Sequence, residues 1–312
     1  MARYVTISTF GPSHPQQSDI KGADAVDYMI NFWNGQLQKA WPDKPDLIVL
    51  PETCDIIAGL PPEELFAYYK ERGDQMKEFF QTQARKHNCN ICYSAYRDMP
   101  DGTRRNSSQI INRNGEVVGI YNKNFPVIHE ITERNVRSGK DTPLIETDFG
   151  KVACAICFDL NFDELKVQTA EMKPDLILFS SEYHGGLRQA CWAYDCHAHF
   201  VGAVVNLPCQ IISPDGRILA SSTNYFKHVT HTVNLDCKLV HLDGNWEKLA
   251  ALKAKYCRNV DISDPGYLGA VLLTSNCQDR SVDDLIAEFE IETLDQYLQR
   301  SRDLDRKPEN TE

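Results

Sequence analysis

Two kinds of hydrophobic pattern alternate along the chain. Short runs, either alternating or continuously apolar, read as strands. They cover residues 3–10 (RYVTISTF), 46–52 (DLIVLPE), 90–96, 107–113, 117–123, 151–157 (KVACAIC), 175–181, 201–207, 209–214 and 228–235. Longer stretches with apolar residues every three or four positions read as helices over 18–40, 62–88, 162–172, 186–200, 245–256 and 281–300. In the last of these, Leu285, Phe289, Leu294 and Leu298 fall near one face. Asn114-Gly115 and Asp215-Gly216 stand between short strands and predict hairpin turns. Helices first, then hairpins, then strand–helix–strand units predict mixed α/β sheets, not a purely parallel doubly wound one. Nothing up to about residue 275 has linker composition. The expected organisation is one domain over 1–275, then a helical extension and polar tail over 276–312 that frays from 301.

Composition narrows the function classes. Of 312 residues, 42% are apolar and 25% charged, an ordinary globular mixture with room for a large core. The 33 basic and 44 acidic residues give a net charge of −11. That balance argues against nucleic acid or an anionic membrane as main partner, though a local basic pocket is compatible with it. No window approaches 18 apolar residues, so no transmembrane helix is expected. The first residues lack a signal-peptide pattern, and the eleven cysteines are odd in number. Together these predict reduced thiols and a cytoplasmic location.

Two C-x-x-C spacings, Cys89 with Cys92 and Cys154 with Cys157, raise the question of a zinc site. Both lie in apolar strand runs, where residues three apart point to opposite faces and cannot share an ion. A redox pair should open a helix, and these do not. No metal is expected. Cys54, Cys89, Cys92, Cys154, Cys191, Cys209, Cys237 and Cys257 read as small buried filler. Cys157 differs because it closes a strand just before a helical stretch. That turn exposes the side chain and turns the following amide, that of Phe158, toward whatever binds there.

Glu52 and Lys123 also close apolar strands. Pro51 cannot donate to a ladder, so the first of these strands is ending there. Singly, each is an ordinary solvated strand end. Together, an acid, an ammonium and a thiol separated by 71 and 34 residues make chemical sense. A thiol with pKa near ~8.5 needs a base or a nearby cation to become nucleophilic at neutral pH.

The segments LIVLPET, GIYNKNF and ICFDLNFDEL resemble the three motif blocks of the nitrilase-like carbon–nitrogen hydrolases. Asn106-Ser107-Ser108, Ser138-Gly139, PDLILFSSEY and VVN at 204–206 extend the likeness over residues 4–240. The resemblance implies a four-layer α-β-β-α sandwich, with Glu52 as general base, Lys123 as cationic stabiliser and Cys157 as nucleophile. It assigns the family's second glutamate to Glu130, with Glu133 the less suitable match. It implies hydrolysis of a small amide or a ureido or carbamoyl compound through a cysteine thioester, with no cofactor. A homodimer or higher homo-oligomer is implied too, paired through helices near the cysteine and with 281–300 reaching across. Departures are Asp163 where proline is common, Phe158-Asp159 where true nitrilases place tryptophan and glutamate, and no arginine pair after the cysteine. Acyl transfer, nitrile hydrolysis and a non-catalytic binding role remain as alternatives.

Histidines offer a competing Cys–His dyad through His129, His184, His197 or His199. None closes a strand as Glu52 and Lys123 do. Tyr183, His184 and Trp192 are candidates for the walls of a substrate pocket, against ordinary packing of a helix on a sheet.

Overall fold

The computed structural model describes residues 1–306. Twelve strands and six helices build the compact unit Val5–Val233. They follow one another as β1 (Tyr4–Phe10), α1 (Gly22–Leu37), β2 (Leu47–Val49), α2 (Pro62–Arg72), α3 (Gln75–His87), β3 (Asn90–Asp98), β4 (Arg104–Ile111) and β5 (Val117–Asn122). Next come α4 (Ile128–Thr132), β6 (Ile145–Glu146), β7 (Lys151–Ile156), α5 (Asp163–Met172), β8 (Leu176–Ser181) and α6 (Leu187–Asp195). The unit closes with β9 (His199–Val204), β10 (Gln210–Ile212), β11 (Ile218–Ser221) and β12 (His228–Asn234).

These strands form two six-stranded mixed sheets, ordered β12-β1-β2-β3-β4-β5 and β11-β10-β9-β8-β7-β6. In each, a parallel trio (β1-β2-β3 and β7-β8-β9) is flanked by antiparallel strands. Both predicted hairpins are present, β4–β5 and β10–β11. Hydroxyls stitch the sheets together: Thr9 donates to the Gly202 carbonyl at 2.9 Å and Ser180 to that of Leu50 at 2.8 Å. Helices cover the outer faces. Met29, Trp33 and Leu37 of α1 and Met76, Phe80 and Ala84 of α3 are buried on the first sheet. Leu165 of α5 and Trp192 and Ala193 of α6 are buried on the second. Each of the leucine, methionine and phenylalanine side chains among them contributes about 1.5–3 kcal/mol. The order helix, sheet, sheet, helix is the four-layer sandwich expected.

The stretch 62–88 is two helices, because Gly73 takes φ +46° and ends α2. The predicted helix 186–200 stops at Asp195, and His197 at φ +52° turns the chain into β9.

Residues 1–4 and 234–306 belong to a second unit, with β13 (Cys237–His241), α7 (Trp246–Tyr256), β14 (Val260–Ser263), β15 (Ala270–Ser275), α8 (Val282–Glu288) and α9 (Leu294–Asp305). Its sheet, β13-β15-β14, and helices enclose a core of their own, including Val240, Leu252, Val271, Leu273 and Leu285. This unit takes in residues 234–275, which the hydrophobic pattern groups with the larger domain; its three strands are too short to carry a clear period. The stretch 281–300 divides into α8 and α9, each opened by a capping box, Ser281 with Asp284 and Thr293 with Gln296. Helix α9 continues to Asp305 where fraying was expected; the rest of that tail, 307–312, lies outside the described residues. Among the described residues no helix is long and apolar enough to cross a membrane. All eleven cysteines are free, and Cys257 is exposed, so it is not buried filler.

Candidate active site

Each of the three strand ends singled out in the sequence is made by a local backbone device. After β2 the chain runs through buried Leu50 and Pro51 to Glu52, and Thr53 at φ +43° turns it away. Lys123 directly follows β5. Its amide donates to the Asn106 carbonyl and its carbonyl accepts from Gly139, both at 2.8 Å. A Cβ on Gly139 would stand 2.2 Å from the Asn122 carbonyl oxygen, so only glycine lets residue 139 lie against this strand end. Cys157 follows β7 and opens a 3-10 turn, Cys157–Asn161, at φ +49°. A non-glycine residue held in that left-handed region costs of order 1 kcal/mol, and such strain concentrates at functional positions.

The side chains converge. The Lys123 ammonium donates to Glu52 Oε1 at 2.8 Å and to Glu130 Oε2 at 2.7 Å. Asn106 Nδ2 donates to the other side of the same pair, 2.7 Å to Glu52 Oε1 and 2.8 Å to Glu130 Oε1. Tyr96, paired with Asn106 across β3 and β4, donates to Glu130 Oε1 at 3.0 Å, and the Val127 amide donates to Glu130 Oε2 at 3.0 Å. Glu52 Oε2 accepts the Glu182 amide at 3.2 Å, and Cys157 lies close enough for Glu52 to act on its thiol. Glu52, Lys123 and Glu130 are all at most 4% exposed, while Cys157 is half-buried. Glu133 is exposed and outside this network.

Two carboxylates and one ammonium leave a buried excess of one negative charge. Burial raises Glu52 above the usual carboxylate range, aided by the charges of Glu130 and Glu182 and opposed by Lys123. Burial would raise Glu130 as well, but the Lys123 ammonium and the hydrogen bonds from Lys123, Asn106 and Val127 outweigh it and hold Glu130 low. Lys123 is raised, since its two carboxylates outweigh burial. The Cys157 thiol is pushed up to about 12 by burial and by the Glu52 charge, against the pull of Lys123. The neighbours acting most strongly on it are Glu52, Lys123 and Ser181, not a histidine.

Asp159 ties the cysteine turn to the lysine strand. Fully buried, its carboxylate accepts from the Ile156 amide at 2.9 Å, the Phe125 amide at 2.8 Å and the Tyr121 hydroxyl at 2.7 Å. Burial still raises it, to about 6, against those three donors. Asp163, the departure at the start of α5, accepts from Arg188 at 2.9 Å.

Among the suggested pocket residues, Tyr183 is half-buried and close enough for its charge and that of Cys157 to interact. His184 is half-buried and accepts from the Gly186 amide through Nδ1, with burial lowering its pKa. Trp192 is no pocket wall: it is completely buried in the core under α6, and its indole N–H donates to the Leu160 carbonyl at 3.1 Å. It braces the cysteine turn from behind. Phe158 is 39% exposed beside that turn. Sequence reasoning missed Tyr96, Asn106, Asp159 and Glu182 as site residues. Asn106 was the most accessible of them, because an amide opening a strand that then becomes apolar asks for a buried partner. At the mouth, Glu182 Oε1 accepts from Thr53 at 3.0 Å and lies 3.3 Å from His14 Nε2. Among the described residues no group of three or more His, Cys, Asp or Glu is arranged to hold a metal.

Comparison with known proteins places the fold and the family. Deaminated glutathione amidase of Dictyostelium discoideum is 24% identical over 172 residues, 50% of this chain and 59% of that protein. The chain spans about half to three fifths of the length of the curated relatives it matches. Saccharomyces cerevisiae Nit3, of branch 10 of the nitrilase superfamily, superposes with a TM-score of 0.60 at 17% identity, covering 74% of this chain and 90% of Nit3. A variant of the amidase from Nesterenkonia sp. AN1, with acrylamide joined to its active site cysteine by Michael addition, superposes with a TM-score of 0.61 at 14% identity, covering 73% and 92%. The carbon-nitrogen hydrolase model matches residues 25–242, about 70% of the chain, which therefore belongs to the carbon-nitrogen hydrolase family.

Proposed function

We propose that the protein hydrolyses the C–N bond of a small non-peptide amide or ureido compound through a thioester on Cys157. The observation that carries this reading is the single ammonium of Lys123 bonded to both Glu52 and Glu130, beside a thiol on which both Glu52 and Lys123 act. The raised thiol means that no thiolate stands ready in the resting site. Deprotonation accompanies attack: Glu52 Oε2 takes the Sγ proton as sulfur bonds to the substrate carbonyl carbon. The remaining Lys123 N–H and the Phe158 amide would hold the oxyanion. Glu52 then returns its proton to the departing nitrogen as the C–N bond breaks, leaving the thioester. Water, deprotonated by Glu52 and oriented by Glu130, attacks that thioester, and sulfur leaves as the thiol. A base raised by burial suits this alternation between acid and base, because its affinity for the proton is closer to neutrality than that of a free carboxylate.

Glu130, held ionised by four donors, is suited to orientation and not to proton transfer. A homo-oligomeric state fits the same reading: Phe158, Val167 and Leu187 expose apolar side chains on and beside the two helices after the nucleophile. Sedimentation of the full chain tests that point.

The decisive experiment is ammonia release from a panel of small amides, ureido acids and nitriles, with Cys157→Ala as control. Release from amides or ureido acids by the wild type alone supports the reading. Release from nitriles alone replaces it with nitrile hydrolysis. Silence from a folded protein overturns the ammonia-releasing reaction, and an added amine acceptor then tests acyl transfer.

A further inference from the structure

A second cavity in the Val5–Val233 unit lies where α2 gives way to α3, beside β3, β4 and β5, and has a volume of about 530 Å³. It shares only Tyr96 with the site above. On one side Tyr93, Gln109 and Ile120 stand opposite one another across the three strands, with Val117 beside them. Ile120 and Val117 give this wall an apolar character.

The charges around it do not balance locally. Asp74 is taken by Lys77 at 2.7 Å, Asp98 by Arg104 at 2.7 Å, and Arg72 by Asp55 at 2.7 Å. Arg97 lines the cavity half-buried and makes no side-chain hydrogen bond or ion pair among the described residues. Its partner in strand register is another half-buried arginine, Arg105, which is bonded to Thr103 and a backbone carbonyl but to no carboxylate. Like charges directly opposite on paired strands are unfavourable. Gln109, only 5% exposed, also has a side-chain amide without a hydrogen bond among the described residues. A little-exposed amide and a half-buried guanidinium thus line one cavity with donors free to meet an acceptor there.

We propose that this cavity binds a small organic carboxylate, with the carboxylate on Arg97 and the Gln109 amide and the apolar body against Val117 and Ile120. A guanidinium pairs with a carboxylate through two parallel N–H bonds. A monoanion fits better than a dianion, because one cation outside any ion pair lines the cavity and two carboxylates, Asp74 and Asp98, stand nearby. The inference is independent of the reaction proposed for Cys157.

Benzoate and inorganic phosphate serve as probes, by calorimetry and thermal melting, on the wild type, Cys157→Ala, Arg97→Gln and Ile120→Asp. Saturable benzoate binding is expected in the wild type and in Cys157→Ala. The melting temperature should rise by about 3 °C at roughly tenfold excess over Kd. Arg97→Gln, which removes a charge-assisted hydrogen bond, and Ile120→Asp, which sets a like charge beside the bound carboxylate, should each weaken it at least about tenfold. If Arg97→Gln does not fold, Ile120→Asp, which sets a carboxylate in the cavity, carries the same test. The proposal is overturned by no saturable binding, by loss of binding in Cys157→Ala, by indifference to both cavity substitutions, or by phosphate binding more tightly than benzoate.

Discussion

Two neighbouring register steps of β3 and β4 handle charge in opposite ways. Where Tyr96 faces Asn106, both reach into a cluster whose two carboxylates and one ammonium are bonded to each other on several sides. One residue on, Arg97 faces Arg105 and neither forms an ion pair among the described residues. The first pair helps to hold a buried charge set rigid. The second leaves charge in reserve beside an open cavity. Because side chains alternate along a strand, such different settings can lie one residue apart.

The sharpest way to break this contrast is to remove the cation from the compensated side. Lys123→Met should leave Glu52 and Glu130 facing one another unpaired, costing about 3–5 kcal/mol in a urea melt. It should lower kcat/KM at least about 10²-fold through the lost oxyanion donor. Asp159→Asn comes next. Its site offers three donors and needs an acceptor-only group, so the amide should cost about 2–3 kcal/mol and slow turnover by detaching the cysteine turn from the lysine strand. Tyr96→Phe removes one of several donors to Glu130 and should cost about 1 kcal/mol, with a several-fold drop in kcat. Glu182→Gln tests the electrostatics without touching the reacting atoms. Glu182 raises Glu52, so its neutralisation should move the acid limb of the kcat/KM profile to lower pH; a shift to higher pH would contradict that coupling. On the uncompensated side, Arg97→Gln without added anion should change stability by about 0.5 kcal/mol or less, in the favourable direction, by relieving Arg105.

Much of the architecture was legible because burial imposes period. Ten of the twelve strands of the two sheets, all but the short β6 and β11, and both hairpin turns could be read from apolar runs and Asn-Gly or Asp-Gly pairs. Glu52, Lys123 and Cys157 were legible for a related reason, since a charged or reactive residue ending an apolar run is conspicuous. What escaped was whatever depends on partners distant in sequence. Asp159 reads as an ordinary polar turn residue until Phe125 and Tyr121 are seen donating to it, 34 and 38 residues away. Trp192 on a helix following the cysteine could equally be a wall or a core residue, and packing decided for the core. The sheet of residues 237–275 was missed because three short strands carry little period. Its core is assembled with α7 and α8 rather than by any strand alone.

One topological detail has a practical meaning. Strands β1 and β12, which open and close the Val5–Val233 unit, are neighbours in one sheet, with the Thr6 and Thr232 hydroxyls 2.9 Å apart. The two ends of this segment therefore lie side by side, like the ends of a clasp. A short linker could join them, and new termini opened at the exposed Asp101-Gly102 turn would give a circular permutant whose candidate site keeps every one of its strands.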